Sequence, residues 1–307
     1  MELLYLYALA SVTGVASHVL YFIHGEHHLN APVILRVYLF LAAFPYAAAW
    51  CMGSHVPLGM ITTRIFLFQV IYVGSLLSSI IVYRAFFHRT RHFPGPKLAA
   101  VSKFYHMFNA TDSQQHLFLD RLHAKYGDFV RTGPNEITIF HPDAIEPIHG
   151  STSRCTKAEW YDNLIPILAV VTTRSREEHD WRRRIWDHGY SIKALREHED
   201  AILAHAHKVE AAIDERIGQT IDATKWFEYY GFDVMGVVQY NQSFGMLDSG
   251  ASHWVLDVFK GGTVILGYMT STPWLIHIVH SIPIIGNGMA KYKAWATESI
   301  IRRSKVF

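Results

Sequence analysis

The chain has 307 residues, half of them hydrophobic, and a mean hydropathy of +0.11, which is too apolar for a purely soluble protein. Its 28 Lys and Arg against 26 Asp and Glu leave a net charge of +2, so no global field recruits nucleic acid and no nucleic-acid partner is expected. The two cysteines, Cys51 and Cys155, lie far apart and one falls in an apolar run, which argues against a disulfide framework and suits a reducing compartment.

Leu3 to Ile23 carries no formal charge and is long enough to cross a hydrocarbon core. It lacks a basic start and further apolar runs follow, so 3–23 is expected to be a span and not a cleaved signal peptide. The next loop holds His24, His27 and His28, which are read as free loop histidines and not as metal ligands. A second span is expected at 33–52, where Arg36 can snorkel and Pro45 is tolerated, and a third at 65–87. Arg84, His88, Arg89, Arg91, His92 and Lys97 crowd the exit of the third. That is a positive-inside signal: it puts the following domain in the cytosol and, with three spans, the N-terminus in the lumen. Residues 1–92 are therefore expected to form a membrane anchor in contact with lipid.

Phe93 to Lys97 (FPGPK) is a stiff hinge, because two prolines fix φ, remove two donors and bias their predecessors away from the α region. Residues 98–307 then have the patterning of a folded domain. Ser113 to Tyr126 predicts an amphipathic helix stopped by Gly127. Phe129 to Phe140 predicts a hairpin turning at Gly133-Pro134-Asn135, and His141-Pro142-Asp143 opens a short helix. Glu177 to Ser191 predicts a helix with Arg182, Arg183 and Arg184 in succession. Such a run is either a solvated basic face or a guanidinium turned into a cleft. A helix over 196–218, a core helix from Ile221 to Gly236, apolar segments at 255–269 and 273–285, and a basic amphipathic helix from Lys291 to Lys305 complete the chain. For 255–285 a fourth span is the rival reading, opposed by Pro273 and Pro283.

Pro94-Gly95-Pro96 behind an anchor, followed by KYGDFVRTGPNEI at Lys125 to Ile137 and SRCTKAEWYD at Ser153 to Asp162, resembles the cytochrome P-450 family of haem-thiolate monooxygenases in its fungal microsomal form. The fold class implied is mainly α with a small β hairpin or sheet, a truncated cytochrome P-450-like domain behind N-terminal transmembrane helices. The family's third helix holds a haem propionate with a Trp-x-x-x-Arg pair. Matching the spacing to Tyr190 puts His179 at the Trp position and Arg183 at the Arg position, with Trp181 and Arg182 as runners-up. The resemblance also implies a small lipophilic substrate, electrons from an NADPH-cytochrome reductase, and the endoplasmic reticulum membrane as location.

Other family signatures are missing. No Glu is followed three residues later by Arg, and neither Cys51 nor Cys155 lies in a glycine-rich loop after an aromatic residue. Thiolate-ligated haem and turnover are therefore not expected of the 307 residues as they stand. No catalytic residue or metal ligand is assigned. The alternative is a non-catalytic, membrane-anchored interaction protein derived from such an enzyme.

Overall fold

The computed structural model describes residues 1–51, 57–110, 114–282 and 287–304. Met52, Ser113, Lys305 and the 283–285 end of an expected apolar segment fall outside them. In chain order come α1 (Glu2–Ser17), α2 (Ala31–Cys51), α3 (Leu58–Val82), α4 (Lys97–Val101), α5 (Phe104–Asn109) and α6 (Gln115–Tyr126). Strands β1 (Phe129–Gly133) and β2 (Glu136–Ile139) and helix α7 (Ile145–His149) follow. Then come α8 (Arg176–Gly189), α9 (Ile192–Arg196), α10 (Glu199–Asp214) and α11 (Ala223–Tyr240). The last four are α12 (Met246–Ser249), α13 (Trp254–Met269), α14 (Pro273–His280) and α15 (Asn287–Ser304). This is the expected class, mainly helical with one hairpin. Two compact units result, Met1–Ile165 with Leu266–Ser281, and Pro166–Ile265 with Ile282–Phe307.

In the first unit, Leu3–Phe22, Ala31–Cys51 and Leu58–Phe87 are each long and apolar enough to cross a membrane. Leu4, Leu20, Trp50 and Phe66 are all more than half exposed, a surface suited to lipid and costly in water. The third helix starts at Leu58, earlier than the expected residue 65. Pro57 supplies its N-terminal stop, and the Thr62 and Thr63 hydroxyls donate back to the Leu58 and Gly59 carbonyls, so their polarity does not interrupt it. α1 and α3 pack closely because Gly14 has no side chain; a Cβ there would sit 2.5 Å from the Tyr72 carbonyl oxygen. A polar seam reinforces the contact, with Ser75 donating to Ser11 at 3.0 Å, Tyr72 to Ser17 at 3.1 Å, and His18 Nδ1 2.8 Å from the Ser79 hydroxyl. Both helices end in π-helical turns, His18–Phe22 and Tyr83–Phe87.

The proline hinge is fastened to the hairpin. The Arg131 N–H donates to the Pro94 carbonyl at 2.7 Å, and a Cβ on Gly95 would meet the Arg131 carbonyl oxygen at 2.4 Å. The Arg131 side chain is buried. Its guanidinium donates to the carbonyls of Arg84 (3.0 Å), Ala100 (3.3 Å), Gly133 (3.3 Å) and Pro134 (2.6 Å). One side chain thus ties the end of the third apolar helix, α4 and the hairpin turn together. β1 and β2 pair antiparallel, Phe129 opposite Ile139 and Val130 opposite Thr138, with an irregularity between Arg131 and Gly133. Val130 meets Ala110, Phe118 and Leu122 in a small core.

Beside it Lys103 pairs with Glu136, which also accepts from the Thr132 hydroxyl at 2.9 Å. Burial by itself raises the Glu136 carboxyl, but the Lys103 charge and the hydrogen bonds from Lys103 and Thr132 outweigh it and hold it below its usual range. A depressed folded-state value stabilises above the unfolded one, near 4.5, and that contribution is lost as pH falls through the folded one. Glu136 keeps 42% of its side chain in solvent, so the expected contribution is modest, about 1 kcal/mol or less. Lys103→Met should flatten the loss of stability as pH falls below the unfolded value near 4.5 in denaturant titrations; an unchanged slope would contradict the pairing.

In the second unit α10, α11 and α12 enclose Val209, Ala212, Trp226, Tyr229, Met246 and Leu247. Asp233 on α11 is fully buried and its Oδ2 accepts from the Leu247 N–H at 2.9 Å. Trp295 of α15 packs against Tyr240, Phe244, His253 and Trp254. The helix expected over 196–218 is the shorter α10, Glu199–Asp214. α9 closes at Arg196, where the His198 N–H turns back to the Leu195 carbonyl, and α10 ends at Asp214 ahead of Gly218, whose φ is +83°.

Candidate functional site

α8 starts at Ser175, whose hydroxyl accepts from the Glu178 N–H, and Glu177 and Glu178 sit in its first turn, where the helix dipole favours acids. His179, Arg183 and Asp187 recur at intervals of four and so share one face. On it Arg183 Nε donates to Asp187 Oδ1 at 2.8 Å, with 62% of the Arg183 side chain in solvent. His179 Nδ1 lies 3.1 Å from Asp180 Oδ1. The runners-up sit differently. Arg182 is tied to Glu178 at 2.7 Å and to the Leu168 carbonyl at 3.3 Å, and its guanidinium lies 5.7 Å from the Trp181 ring centre. Arg182 is thus engaged within the unit, whereas Arg183 has one exposed pair, weakened by solvent, which an incoming anion can displace.

Trp181, Ile185, Trp186 and Tyr190 are each half exposed or more, and Trp186 stacks on Tyr190 at 5.6 Å. So many large apolar groups on one short helix mark a contact surface. A hollow of about 330 Å³ lies at the start of α8, between Ser175, Glu177, Glu178, Trp181 and Arg184. A larger groove of about 780 Å³ belongs to the anchor, along the seam of α1 and α3 from Ser11 to Phe87; its walls are helix-packing groups and carry no reactive constellation.

The residues expected at a haem's rim can be compared with what such a group requires. Arg183 offers an exposed cation and His179 a part-buried imidazole on one face of α8, groups of the kind a propionate needs. Cys51 at the end of α2 and Cys155 in a loop are both exposed, and an axial thiolate needs an enclosed, dry setting. Among the described residues no cysteine meets that condition.

A second polar cluster was invisible to sequence reasoning. His28, read above as a free loop histidine, is buried. Its Nε2 lies 2.8 Å from Asp162 Oδ2 and its Nδ1 3.4 Å from Glu159 Oε2. The His277 ring of α14 is centred 5.6 Å from the His28 ring, and its Nε2 is buried without a hydrogen-bond partner. Burial first, then the charges of His28 and His280, keep the His277 imidazole below its usual value. Glu26, His28 and Asp162 each bring one ligand atom within 4.8 Å of the others, a spacing a cation would accept, although Asp162 already engages His28. The partners lie 134 residues apart, so no local spacing could have revealed them. His27 stays at the loop surface, stacked on Tyr21 at 4.3 Å.

Comparison with known proteins adds to this geometry. The family model described as Cytochrome P450 matches residues 94–297. The chain is 35% identical to cytochrome P450 monooxygenase lcsK of Purpureocillium lilacinum, over 96% of this chain and 54% of the relative. It is also 35% identical to tryprostatin B 6-hydroxylase of Neosartorya fischeri, over 96% of this chain and 55% of the relative. The tryprostatin B 6-hydroxylase of Aspergillus fumigatus is 32% identical, over 96% and 54%. The chain spans about half the length of these curated relatives. No solved structure matches it.

Proposed function

The chain belongs to the cytochrome P450 family, and from that premise we propose that the whole protein is a membrane-bound monooxygenase that hydroxylates a small lipophilic molecule of fungal secondary metabolism. The tryprostatin B 6-hydroxylases and the lcsK monooxygenase among its relatives support that substrate class. In this reading α1 to α3 anchor the enzyme in the endoplasmic reticulum, the domain faces the cytosol, and an NADPH-cytochrome reductase in the same membrane supplies electrons. When bound, haem supplies oxygen activation at an iron held by a cysteine thiolate. This chain's part is to hold the group by its edge. Arg183 and His179, on one face of α8, would hold a propionate by charge-assisted hydrogen bonds, with the exposed Arg183–Asp187 pair given up for it. The exposed apolar side chains of α8 are the surface on which the haem-bearing remainder packs.

The observation that carries this reading is the exposed Arg183 on α8, within the stretch matched to the family. We further propose that the 307 residues alone form no thiolate-ligated haem and do not turn over. The test expresses, in microsomes with a fungal reductase, the 307-residue chain and a polypeptide extended to the length of its relatives. The extended polypeptide is expected to show the thiolate Soret band with CO and to oxidise lipophilic substrates, and the 307-residue chain to show neither. A band from the shorter chain would overturn the proposed inactivity; no band from the longer one would overturn the assigned activity. In the longer polypeptide Arg183→Ala should lower retained haem about tenfold, since the charge-assisted bonds to the propionate are removed.

A further inference from the structure

We propose that the loop between α1 and α2 is a docking element: His28 latches the anchor to the turn Glu159–Leu164 and to α14, and so fixes how the domain stands on the membrane. Three segments far apart in the chain converge at this point. His28 reaches Asp162 at 2.8 Å and Glu159 at 3.4 Å, and its ring lies beside that of His277. α14 packs against both α2 and the 159–164 turn. Trp160 Nε1 donates to Thr270 Oγ1 at 2.6 Å, just ahead of α14, and Thr272 and Ile276 are buried.

Connecting loops ordinarily stay at the surface, where water satisfies their polar groups. His28 has instead given up its hydration for one hydrogen bond to Asp162 and a longer approach to the Glu159 carboxylate, an exchange that is favourable only where the geometry is held. A single proline hinge would leave the domain free to swing about one point. The Arg131 rivet at the end of α3 and the His28 latch at the α1–α2 loop give it two separate tethers, and the seating of α14 on α2 adds a third contact that opposes rotation about the line between them.

The arrangement has a topological consequence that is independent of charge counting. The α1–α2 loop meets the domain, and the hinge leaves α3 toward the same domain, so the end of α1, the start of α2 and the end of α3 share one membrane face. This rests on α1 to α3 being membrane spans. Alkaline carbonate extraction tests that separately: release of the full chain from microsomes would sink the span reading and leave the latch contacts standing.

The latch is tested on the full chain in sealed microsomes. Leu29, 45% exposed in the loop, is replaced by Cys in a Cys51→Ser background, with the exposed Cys155 as the domain's own standard. A membrane-impermeant maleimide is expected to label both from the same side; labelling of Cys155 with Leu29→Cys protected until detergent is added would overturn the proposal. The second arm follows Ile276→Cys, buried on α14, with Cys51 and Cys155 replaced by Ser. His28→Ala or Asp162→Asn should raise its labelling rate about tenfold, as loss of a charged hydrogen bond opens the docked segment. The exchange His28→Asp with Asp162→His should restore it, a rescue that a general loss of folding cannot give. Should His28→Ala fail to insert, His28→Gln keeps one donor and is expected to open the site less. An unchanged rate in His28→Ala or His28→Gln would overturn the latch, and so would opening by a chelator in the unsubstituted latch, which would assign the cluster to a metal ion.

Discussion

Arg131→Met should cost the first unit about 3 kcal/mol or more. The substitution keeps most of the volume and removes every donor. The carbonyls of Arg84, Ala100, Gly133 and Pro134 now receive bonds from one buried guanidinium. Without it the Arg84, Ala100 and Gly133 carbonyls are left facing an apolar thioether, while Pro134 keeps its bond from the Thr90 hydroxyl, and each unsatisfied buried acceptor costs of order 1 kcal/mol. Arg131→Lys tests the geometry separately from the charge. A single ammonium cannot reproduce a planar fork that reaches four oxygens, so an intermediate loss of about 1–2 kcal/mol is expected. Denaturant unfolding of the detergent-solubilised chain, followed by a probe in the hairpin, measures both. A loss under about 1 kcal/mol for the Met variant would mean that the hinge is held by Pro94, Gly95 and Pro96 alone.

The second large effect is expected at Asp233. Its carboxylate is fully buried on α11 and caps the start of α12 by accepting from the Leu247 N–H at 2.9 Å. Asp233→Ala removes the acceptor and opens a small cavity beside Met246 and Leu247, for an expected loss of about 2–3 kcal/mol. Asp233→Asn can still present an oxygen to the Leu247 N–H and should lose less. Hydrogen exchange reads the difference directly. The Leu247 amide should lose protection about tenfold or more in the Ala variant, with a smaller change in the Asn variant. Equal protection in the two variants would show that the cap is not what orders α12.

How much of this was legible in the sequence depends on the range of the signal. The apolar spans, the Pro94-Gly95-Pro96 hinge, the stop at Gly127 and the hairpin at 129–139 announce themselves within a few residues, because composition, φ restriction and strand alternation act locally. The periodicity of α8 likewise puts His179 and Arg183 on one face. Polar residues obscured one boundary: Thr62 and Thr63 look like interruptions until their hydroxyls bond back along the helix. Long-range pairings left no trace at all. Arg131 reads as an ordinary strand residue in a short alternating run, and its role appears only when α3, α4 and the hairpin turn surround it. His28 reads as one of three loop histidines, and nothing near it in the chain distinguishes it from His24 or His27.

The two π-helical turns carry a consequence for insertions and deletions. A π-turn holds one residue more than an α-turn, and it closes both α1, at His18–Phe22, and α3, at Tyr83–Phe87, where the His18 and Tyr83 rings meet edge-on at 5.6 Å. Deleting one residue there, such as Ala85, would let the turn relax to α geometry with its flanks still in phase, whereas a deletion within the α-helical part of α3 would rotate everything downstream by about 100° about the helix axis. The second kind of deletion would carry Arg84 and the hinge off at the wrong azimuth. Surface loops absorb changes of length, and these turns can give up one residue, but in the α-helical stretches of α1 and α3 each residue sets a phase, so there the chain can vary in composition far more readily than in count.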